Sequence, residues 1–274
     1  MHFTKMHGLG NDFVVVDNRE GRLQMNAALV KSIADRREGV GCDQLLLIES
    51  GEGTDADLLF RIFNADGSEV DHCGTGARCV AAFAQSRGLS NQNPLRMQLP
   101  TRIISARVMA GGEVSVDMGS PAFAPWELPF AAPTMALVYT LQTEAGTIEV
   151  GAVSMGNPHA VTRVENVATL DLAAMAIPVQ LHPWFPQGVN VGAMQIVNRN
   201  YMKLRVYERG VGETQACGTG ACAAVAVARK WDLVDPHVHV DLPGGRLSID
   251  WEGPGQSLWM QGPISFVFDG EMTL

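Results

Sequence analysis

The pattern of hydrophobic and polar positions predicts many short strands and a few helices. Runs rich in β-branched and aromatic residues indicate strands at residues 13–16, 44–48, 58–63, 114–116, 189–191, 203–207, 238–240 and 266–268. Residues 26–37 have the pattern of a surface helix capped by Asn26. Two more helices are predicted directly after Cys73 and Cys217, ending near Arg87 and Trp231. The chain is therefore expected to belong to the mixed α/β class.

One part of the sequence occurs twice. Residues 61–77 match residues 205–221 without a gap at an offset of 144, and both copies contain an arginine, a glutamate and the string Cys-Gly-Thr-Gly-Ala. A second match places residues 111–121 over residues 244–254 at an offset of 133. Two matches in the same order indicate duplication, so we expect two similar domains that face each other across a cleft. Residues 221–228 are apolar on every side of their helix, which favours burial inside a curled sheet.

Composition and charge exclude several classes of protein. The chain has 274 residues, with 20 basic and 29 acidic side chains and a net charge of -9. This acidic balance argues against binding to nucleic acid. The N-terminal residues do not have the pattern of a signal peptide, and the apolar run at 221–228 is too short to span a membrane. We therefore expect a cytoplasmic protein, and the odd number of cysteines, five, argues against a disulfide framework.

The candidate chemistry lies at the two repeated cysteines. Cys73 and Cys217 each precede Gly-Thr-Gly-Ala and then a helix, where unpaired N–H groups carry partial positive charge. Such a helix start binds a carboxylate and makes thiolate available. One copy could be a nucleophile or a phosphate cradle, but two related copies favour a pair of thiols on opposite faces of one carbon. One thiolate would remove an α-proton and the other thiol would donate one, which inverts the stereocentre without a metal or cofactor.

Other interpretations of the same residues fit less well. Each cysteine alone could be a buried residue beside a helix cap, which is our interpretation of Cys42, Cys79 and Cys222. A zinc site would need a second closely spaced pair of thiols, and His237 and His239 have no evident third ligand. The sequence has no Cys-x-x-Cys pair, no dinucleotide fingerprint and no obvious lysine for pyridoxal phosphate.

The motifs together resemble the diaminopimelate epimerase family over nearly the whole chain. They are residues 6–13 (MHGLGNDF), 41–44 (GCDQ), 63–69 (FNADGSE), 73–79 (CGTGARC), 154–159 (SMGNPH), 189–191 (VNV) and 208–222 (ERGVGETQACGTGAC). The resemblance implies two α/β domains, each a curled, mostly antiparallel sheet around a central helix. The N-terminal domain would comprise residues 1–117 plus 263–274, and the C-terminal domain residues 118–262, with the active site in the cleft between them.

The resemblance also implies roles for individual residues. Cys73 and Cys217 match the family's acid–base pair, and His159 and Glu208 match positions thought to tune the thiols. Substrate contacts are implied for Asn11, Gln44, Asn64, Gly74, Thr75, Asn157, Asn190, Glu208, Arg209, Gly218 and Thr219. The implied activity interconverts LL- and meso-2,6-diaminopimelate, in the biosynthesis of lysine and peptidoglycan precursors, with no cofactor and no metal. The implied partner is a small-molecule substrate, with no nucleic acid and no membrane.

Two residues depart from the family's usual pattern. Thr75 stands where the family commonly has asparagine. Threonine can replace asparagine there if the residue binds substrate through its backbone N–H. Phe268 stands where a tyrosine is often found near the family's homodimer contact, which leaves an apolar contact between two copies. Two alternative functions stay open at this point. One is a proline or hydroxyproline racemase of the same fold, and the other is a thiol redox or binding protein on this scaffold.

Overall fold

A computed structural model of the chain describes residues 1–53, 55–71, 73–144 and 146–273. The backbone groups into two compact units, Met1–Asp117 with Gln261–Leu274, and Met118–Met260. In the part of the chain described, no helix is long and apolar enough to cross a membrane.

The first unit is a sheet with two helices, each in the crossover between two parallel strands. Its elements are β1 (His2–Gly8), β2 (Asn11–Asp17), α1 (Ala27–Ala34), β3 (Gln44–Ser50), β4 (Leu58–Asn64), β5 (Glu69–Val70), α2 (Gly74–Ser86), β6 (Leu95–Gln98), β7 (Ile103–Val108), β8 (Val114–Asp117) and the returning β18 (Ser265–Glu271). The strands pair in the order β18, β1, β2, β3, β4, β6, β7, β8, and β5 also pairs with β4. Only the β2–β3 and β4–β6 pairs of this series are parallel.

The second unit uses the same kinds of element. They are β9 (Tyr139–Thr143), β10 (Gly146–Ser154), β11 (Pro158–Arg163), α3 (Leu172–Gln180), β12 (Asn190–Asn198), β13 (Tyr201–Glu208), β14 (Gly212–Thr214), α4 (Gly218–Lys230), β15 (His237–Leu242), β16 (Gly245–Asp250) and β17 (Trp259–Gly262). The pairing order is β9, β10, β11, β12, β13, β15, β16, with β14 beside β13. The parallel pairs are β11–β12 and β13–β15.

The two units therefore repeat one topology, from β1 to β7 and from β10 to β16. In each, a helical crossover joins the first parallel pair, and the helix after the repeated cysteine joins the second. Even an ion pair is repeated. Arg61 donates to both carboxylate oxygens of Glu69 at 2.7 Å, and Arg205 does the same to Glu213 at 2.6 and 2.8 Å. The match at an offset of 144 is thus a true structural repeat.

The second sequence match, at an offset of 133, is not a structural repeat. It places β8 over β16, whereas the pairing makes β7 the counterpart of β16, since β6 and β15 are the strands that run parallel to β4 and β13. Residues 111 and 112 turn between β7 and β8, and residues 244 and 245 turn between β15 and β16. Two glycine turns in non-equivalent hairpins produced the similarity, so this alignment was wrong.

The helices that follow the cysteines form the centres of their units. Helix α2 packs on β1, β2, β3, β7 and β8, and α4 packs on β10, β11, β12, β13 and β16. Every residue from Gly220 to Ala228 is buried, which suits a sequence of alanine, valine and small residues that lets strands approach on all sides. The prediction of mixed α/β units built around a central helix is confirmed.

Some elements differ from the sequence prediction. Helix α3 was not predicted, because it contains Pro178 and lacks a polar face. The proline-rich stretch at 121–133 lies within the second unit and supplies Leu128 and Phe130 to its core. There the ring of Phe130 stacks on Phe185 with centroids 4.6 Å apart.

Candidate functional site

Cys73 occupies the N-cap position of α2. Its carbonyl accepts the first helical hydrogen bond from Ala77, and its Sγ accepts from the backbone N–H of Gly76 at 3.3 Å. The Nδ2 of Asn11 lies 4.0 Å from the same sulfur. The sulfur of Cys73 therefore lies beside two N–H donors. Because Cys73 is partly exposed, the sulfur also remains within reach of a ligand.

Cys217 occupies the same position at the start of α4, in a more enclosed setting. Its side chain is 5% exposed, and its Sγ lies 3.6 Å from the hydroxyl of Thr219. Burial raises the pKa of the Cys217 thiol, and the nearby carboxylate of Glu208 raises it further. Both effects favour the thiol over the thiolate at Cys217.

The third residue of each helix is a glycine in tight surroundings. A Cβ on Gly76 would lie 3.1 Å from a methyl of Leu46 and 3.5 Å from the sulfur of Cys73. A Cβ on Gly220 would lie 2.9 Å from a methyl of Val206 and 3.2 Å from the sulfur of Cys217. Glycine fits these positions and lets the chain pass closely behind each cysteine sulfur.

In the first unit, strand ends bring the predicted polar residues together. Gln44 pairs in register with both Phe13 of β2 and Asn64 of β4, so Asn11, Gln44 and Asn64 lie at one end of three adjacent strands. The Nε2 of Gln44 donates to Oδ1 of Asn64 at 2.9 Å. Within the described residues, Oε1 of Gln44 is buried without a hydrogen-bond partner. A buried acceptor of this kind lacks one hydrogen bond, which marks Gln44 as a residue with unused binding capacity.

The second unit repeats this arrangement with different chemistry. His159 of β11 pairs with Asn190 of β12, and Glu208 ends β13 beside them. The Oε1 of Glu208 accepts from the hydroxyl of Thr214 at 2.6 Å, which fixes the carboxylate. Glu208 thus takes the place that Asn64 has in the first unit, and it adds a negative charge.

Arg209 is exposed at the same end of the second unit. Its backbone N–H donates to Oδ1 of Asn190 at 2.9 Å, and its guanidinium donates to the carbonyl of Gln187 at 2.8 Å. Asn190 in turn donates through Nδ2 to the carbonyl of Pro158. The hydrogen bonds hold the loop and leave most of the guanidinium's donors for a carboxylate.

His159 is buried and neutral. It is 1% exposed, and burial lowers its pKa from 6.5 to about 3. Its Nε2 is 3.0 Å from Oδ1 of Asn157, which fits an N–H donated to the amide oxygen. The amide of Asn157 then donates to the hydroxyl of Thr219 at 3.4 Å. His159 therefore reaches Cys217 through a chain of hydrogen bonds and carries no charge.

The sequence reasoning missed a cluster of four charged residues in the first unit: Lys5, Asp12, Arg36 and Asp43. Lys5 bonds Asp12 at 2.6 Å, and Arg36 donates to Asp12 at 2.8 and 3.0 Å and to Asp43 at 2.7 Å. Hydrogen bonds from Arg36 and Lys5 outweigh burial and hold the pKa of Asp12 far below its usual range.

The same cluster fixes two of the candidate binding residues. Each aspartate accepts the other's backbone N–H, at 2.9 and 3.1 Å, and the next residues outward are Asn11 and Gln44. A local signal existed, since both aspartates directly adjoin residues of the matched motifs. No local pattern indicated that Lys5 and Arg36 come from other segments to join them.

The structure thus collects the predicted residues into two sets, one in each unit. The first set is Asn11, Gln44, Asn64, Cys73, Gly74 and Thr75, and the second is Asn157, His159, Asn190, Glu208, Arg209, Cys217, Gly218 and Thr219. Across the described residues, no group of three or more His, Cys, Asp or Glu side chains is arranged to hold a metal ion.

Comparison with known proteins identifies relatives along the whole chain. The family model for diaminopimelate epimerase matches residues 3–124 and 151–267. The diaminopimelate epimerase of Halorhodospira halophila is 51% identical over 274 residues, which cover 100% of this chain and 96% of the relative. That of Thioalkalivibrio sulfidiphilus is 50% identical over 276 residues, covering 100% and 99%.

Solved structures show the same fold at lower identity. A hydroxyproline epimerase from Agrobacterium vitis with bound trans-4-hydroxy-L-proline has a TM-score of 0.70 at 16% identity, covering 98% of this chain and 91% of its own. A PhzF-family phenazine biosynthesis protein from Bacillus anthracis has a TM-score of 0.68 at 18% identity, covering 100% and 99%. At these identities the comparison establishes the fold alone.

Proposed function

The chain belongs to the diaminopimelate epimerase family, and we propose that it is an isomerase that interconverts LL- and meso-2,6-diaminopimelate. The observation that carries this proposal is the pair of cysteines, Cys73 and Cys217, at equivalent helix N-termini in a duplicated fold. An epimerase must treat two opposite configurations of one carbon nearly alike. Two copies of one thiol site meet that requirement.

In the proposed reaction, one sulfur is a thiolate and the other a thiol. The thiolate removes the α-proton from one face of the substrate carbon, and the thiol donates its own proton to the opposite face. The backbone N–H groups at Gly74, Thr75, Gly218 and Thr219 bind the reacting carboxylate as it gains enolate character. Protons are conserved in this reaction, because each turnover leaves one thiol and one thiolate with their places exchanged. These residues perform the chemistry without a cofactor.

Polar side chains at the strand ends suit the rest of the substrate. Diaminopimelate has two ammonium and two carboxylate groups on an open chain. The unpartnered Oε1 of Gln44 and the carboxylate of Glu208 suit ammonium groups, and the guanidinium of Arg209 suits a carboxylate. Asparagines 11, 64, 157 and 190 offer both donors and acceptors, so the set matches a ligand that is charged at both ends.

The alternative substrates and functions are less well supported. The proline and hydroxyproline enzymes share the fold at about 16% identity, whereas the relatives at 50 and 51% are diaminopimelate epimerases. A thiol redox protein would use the cysteines but would not need the two sets of strand-end amides. The D₂O experiment below distinguishes both of these functions from epimerisation of diaminopimelate.

Three further features belong to the same proposal. The reaction would serve the biosynthesis of lysine and peptidoglycan precursors. A cytoplasmic location suits catalytic thiols that must stay reduced. A homodimer is proposed from β18, where Phe266, Val267 and Phe268 are exposed side by side, since an apolar strip of this kind is typical of a protein contact.

Proton exchange in D₂O tests the reaction directly. Reduced protein is incubated with LL-diaminopimelate in one tube and with L-proline in another, and both are followed by NMR. We expect loss of the α-proton signal and appearance of the meso isomer in the first tube alone. Exchange with proline alone would assign the protein to the racemase branch. Absence of exchange in both tubes, with reduced thiols confirmed, would refute the proposal.

Cysteine variants test the two-thiol mechanism. Cys73→Ala and Cys217→Ala should each abolish interconversion while leaving the circular dichroism spectrum unchanged. Cys42→Ala is the matched control, since Cys42 is a buried thiol in the core of the first unit. It should retain most of the turnover. Near-normal turnover in either of the first two variants would exclude an obligatory thiol pair.

A further inference from the structure

The two thiol sites have the same backbone but different charges around them. The repeat places Arg78 of α2 at the position of Cys222 of α4, and Asn64 at the position of Glu208. The first unit therefore has an added cation where the second has a neutral side chain. The second unit has an added anion where the first has a neutral amide.

Arg78 is a buried cation directly behind the start of α2. Its side chain is 1% exposed, and its guanidinium donates to the hydroxyl of Thr75 at 3.2 Å and to the carbonyl of Pro263 at 3.1 Å. Arginine stays protonated even when buried. Its charge therefore adds to the positive end of the helix dipole that Cys73 caps.

The remaining surroundings of Cys73 also favour an anion. The sulfur is partly exposed and accepts from the N–H of Gly76. The four-residue charged cluster behind Asn11 contains two cations and two anions, so its formal charges cancel. Cys79, in the same helix, stays protonated because burial raises its pKa to about 12.

The surroundings of Cys217 favour the neutral thiol. The sulfur is buried, and the carboxylate of Glu208 is close enough to oppose a second negative charge. His159 contributes no compensating charge, since it is neutral. The cation of Arg209 is directed to the carbonyl of Gln187.

We propose that in the resting enzyme Cys73 is the thiolate and Cys217 the thiol, and that Arg78 is the positioning residue that sets this choice. The inference deepens the proposed function and rests on it for its catalytic meaning. Two thiols with identical surroundings would both be protonated near neutral pH, since an ordinary cysteine has a pKa of about 8.5. An asymmetric pair instead holds one proton, on Cys217, and is ready to take an α-proton at Cys73. The reverse direction starts from the form in which thiol and thiolate have exchanged places.

Thiolate absorbance at 240 nm, measured without substrate, tests the assignment. Cys217→Ser leaves Cys73 to titrate, and Cys73→Ser leaves Cys217. Both variants also carry Cys222→Ala, which removes the buried thiol in the middle of α4. Burial raises the pKa of Cys42 to about 11, so it stays largely protonated below about pH 9.5, as does Cys79. We expect the Cys73 step about one unit below 8.5, and no Cys217 step below about pH 9.5. A Cys73 step at or above 8.5, or a Cys217 step below that of Cys73, would overturn the assignment.

Charge variants test the role of Arg78 itself. Arg78→Met, made in each of these two backgrounds, should raise the Cys73 step by about one unit and leave Cys217 unchanged. Arg78→Lys should keep the wild-type value, because it keeps the cation. Equal shifts in both backgrounds, or the same shift with lysine, would mean that Arg78 acts through packing, which contradicts the proposal.

A second variant covers the case in which Arg78→Met does not fold. Glu208→Gln, in the Cys73→Ser background, should lower the Cys217 step into the measurable range and should not move Cys73 in the other background. Failure of both effects would refute the electrostatic asymmetry. Because these titrations need no substrate, they remain informative even if the D₂O experiment shows no epimerisation.

Discussion

The buried, neutral state of His159 makes a prediction for stability and for catalysis. The change is His159→Phe. It is chosen because the first unit has Phe13 at the equivalent position, where β2 pairs with β3 as β11 pairs with β12. Both side chains are buried, so the repeated topology accommodates a phenylalanine here. His2→Phe is the matched control, since His2 is exposed on the edge of the first unit.

The expected change in stability follows from the pKa of His159. Burial lowers it from 6.5 to about 3, so the unfolded chain binds a proton that the folded chain rejects. Stability is therefore complete above pH 6.5 and is lost as the pH falls towards 3, by about 1.4 kcal/mol per pH unit. Between pH 6.5 and 5.0 this contribution is about 2 kcal/mol. The wild type should lose it and His159→Phe should not.

Urea unfolding of both variants and the wild type at the two pH values measures this difference. The free energy of unfolding should fall less between the two pH values in His159→Phe than in the wild type. An equal fall in both proteins would refute the argument that His159 is buried and neutral. His2→Phe should behave as the wild type does. The comparison is between differences, so a general cost of the larger ring at pH 6.5 does not affect it.

Catalysis should respond only modestly to the same change. The variant loses the hydrogen bond that orients Asn157 towards Thr219, a contribution of about 1 kcal/mol, which corresponds to about fivefold in kcat/KM. The shape of the pH profile of kcat/KM should not change. A loss above about a hundredfold, or a shifted acid limb, would show that His159 titrates during the reaction and that the hydrogen-bond account is wrong.

Three other predictions concern stability, catalysis and assembly. Arg205→Met should lower the free energy of unfolding by about 2 kcal/mol more than Arg61→Met, since only Arg205 also bonds two backbone carbonyls, at 2.6 and 2.8 Å; equal losses in urea would contradict this. Gly220→Ala places a methyl group 3.2 Å from the sulfur of Cys217 and should lower kcat about tenfold in the NMR assay; unchanged turnover would show that the helix start relaxes. Phe268→Asp should convert a dimer to a monomer in sedimentation, and an unchanged mass would remove β18 from the contact.

The sequence predicted best those features that are contiguous in the chain. The strings that begin at Cys73 and Cys217 hold the thiol, the flexible glycines and the helix start within five residues, so their chemistry can be seen without a structure. The ends of α2 and α4 were predicted to within one residue, because the residues after Ser86 and Lys230 give local signals. The start of α1 was predicted from Asn26, but the helix ends at Ala34, three residues before the predicted end.

Features that depend on pairing between distant segments were not predictable in this way. The bonds of Lys5 and Arg36 to Asp12 depend on the register of strands that are far apart in sequence. The match at an offset of 133 failed for the related reason that a glycine turn carries no information about which strands it joins. Helix α3 was missed because Pro178 outweighed a tertiary environment that tolerates it near the helix end.

Duplication explains why the two thiol sites are alike, and divergence explains how they can work together. The backbone that presents each sulfur is common to both units, since it is fixed by the topology and by glycines in tight surroundings. The charges come from side chains that vary without disturbing the sheet, as Arg78 and Glu208 show. The proposed reaction needs two sulfurs with matched geometry and one proton between them, and unequal surroundings decide which sulfur holds that proton at rest. Selection on an internal repeat can keep the matched geometry while changing the surroundings, one side chain at a time.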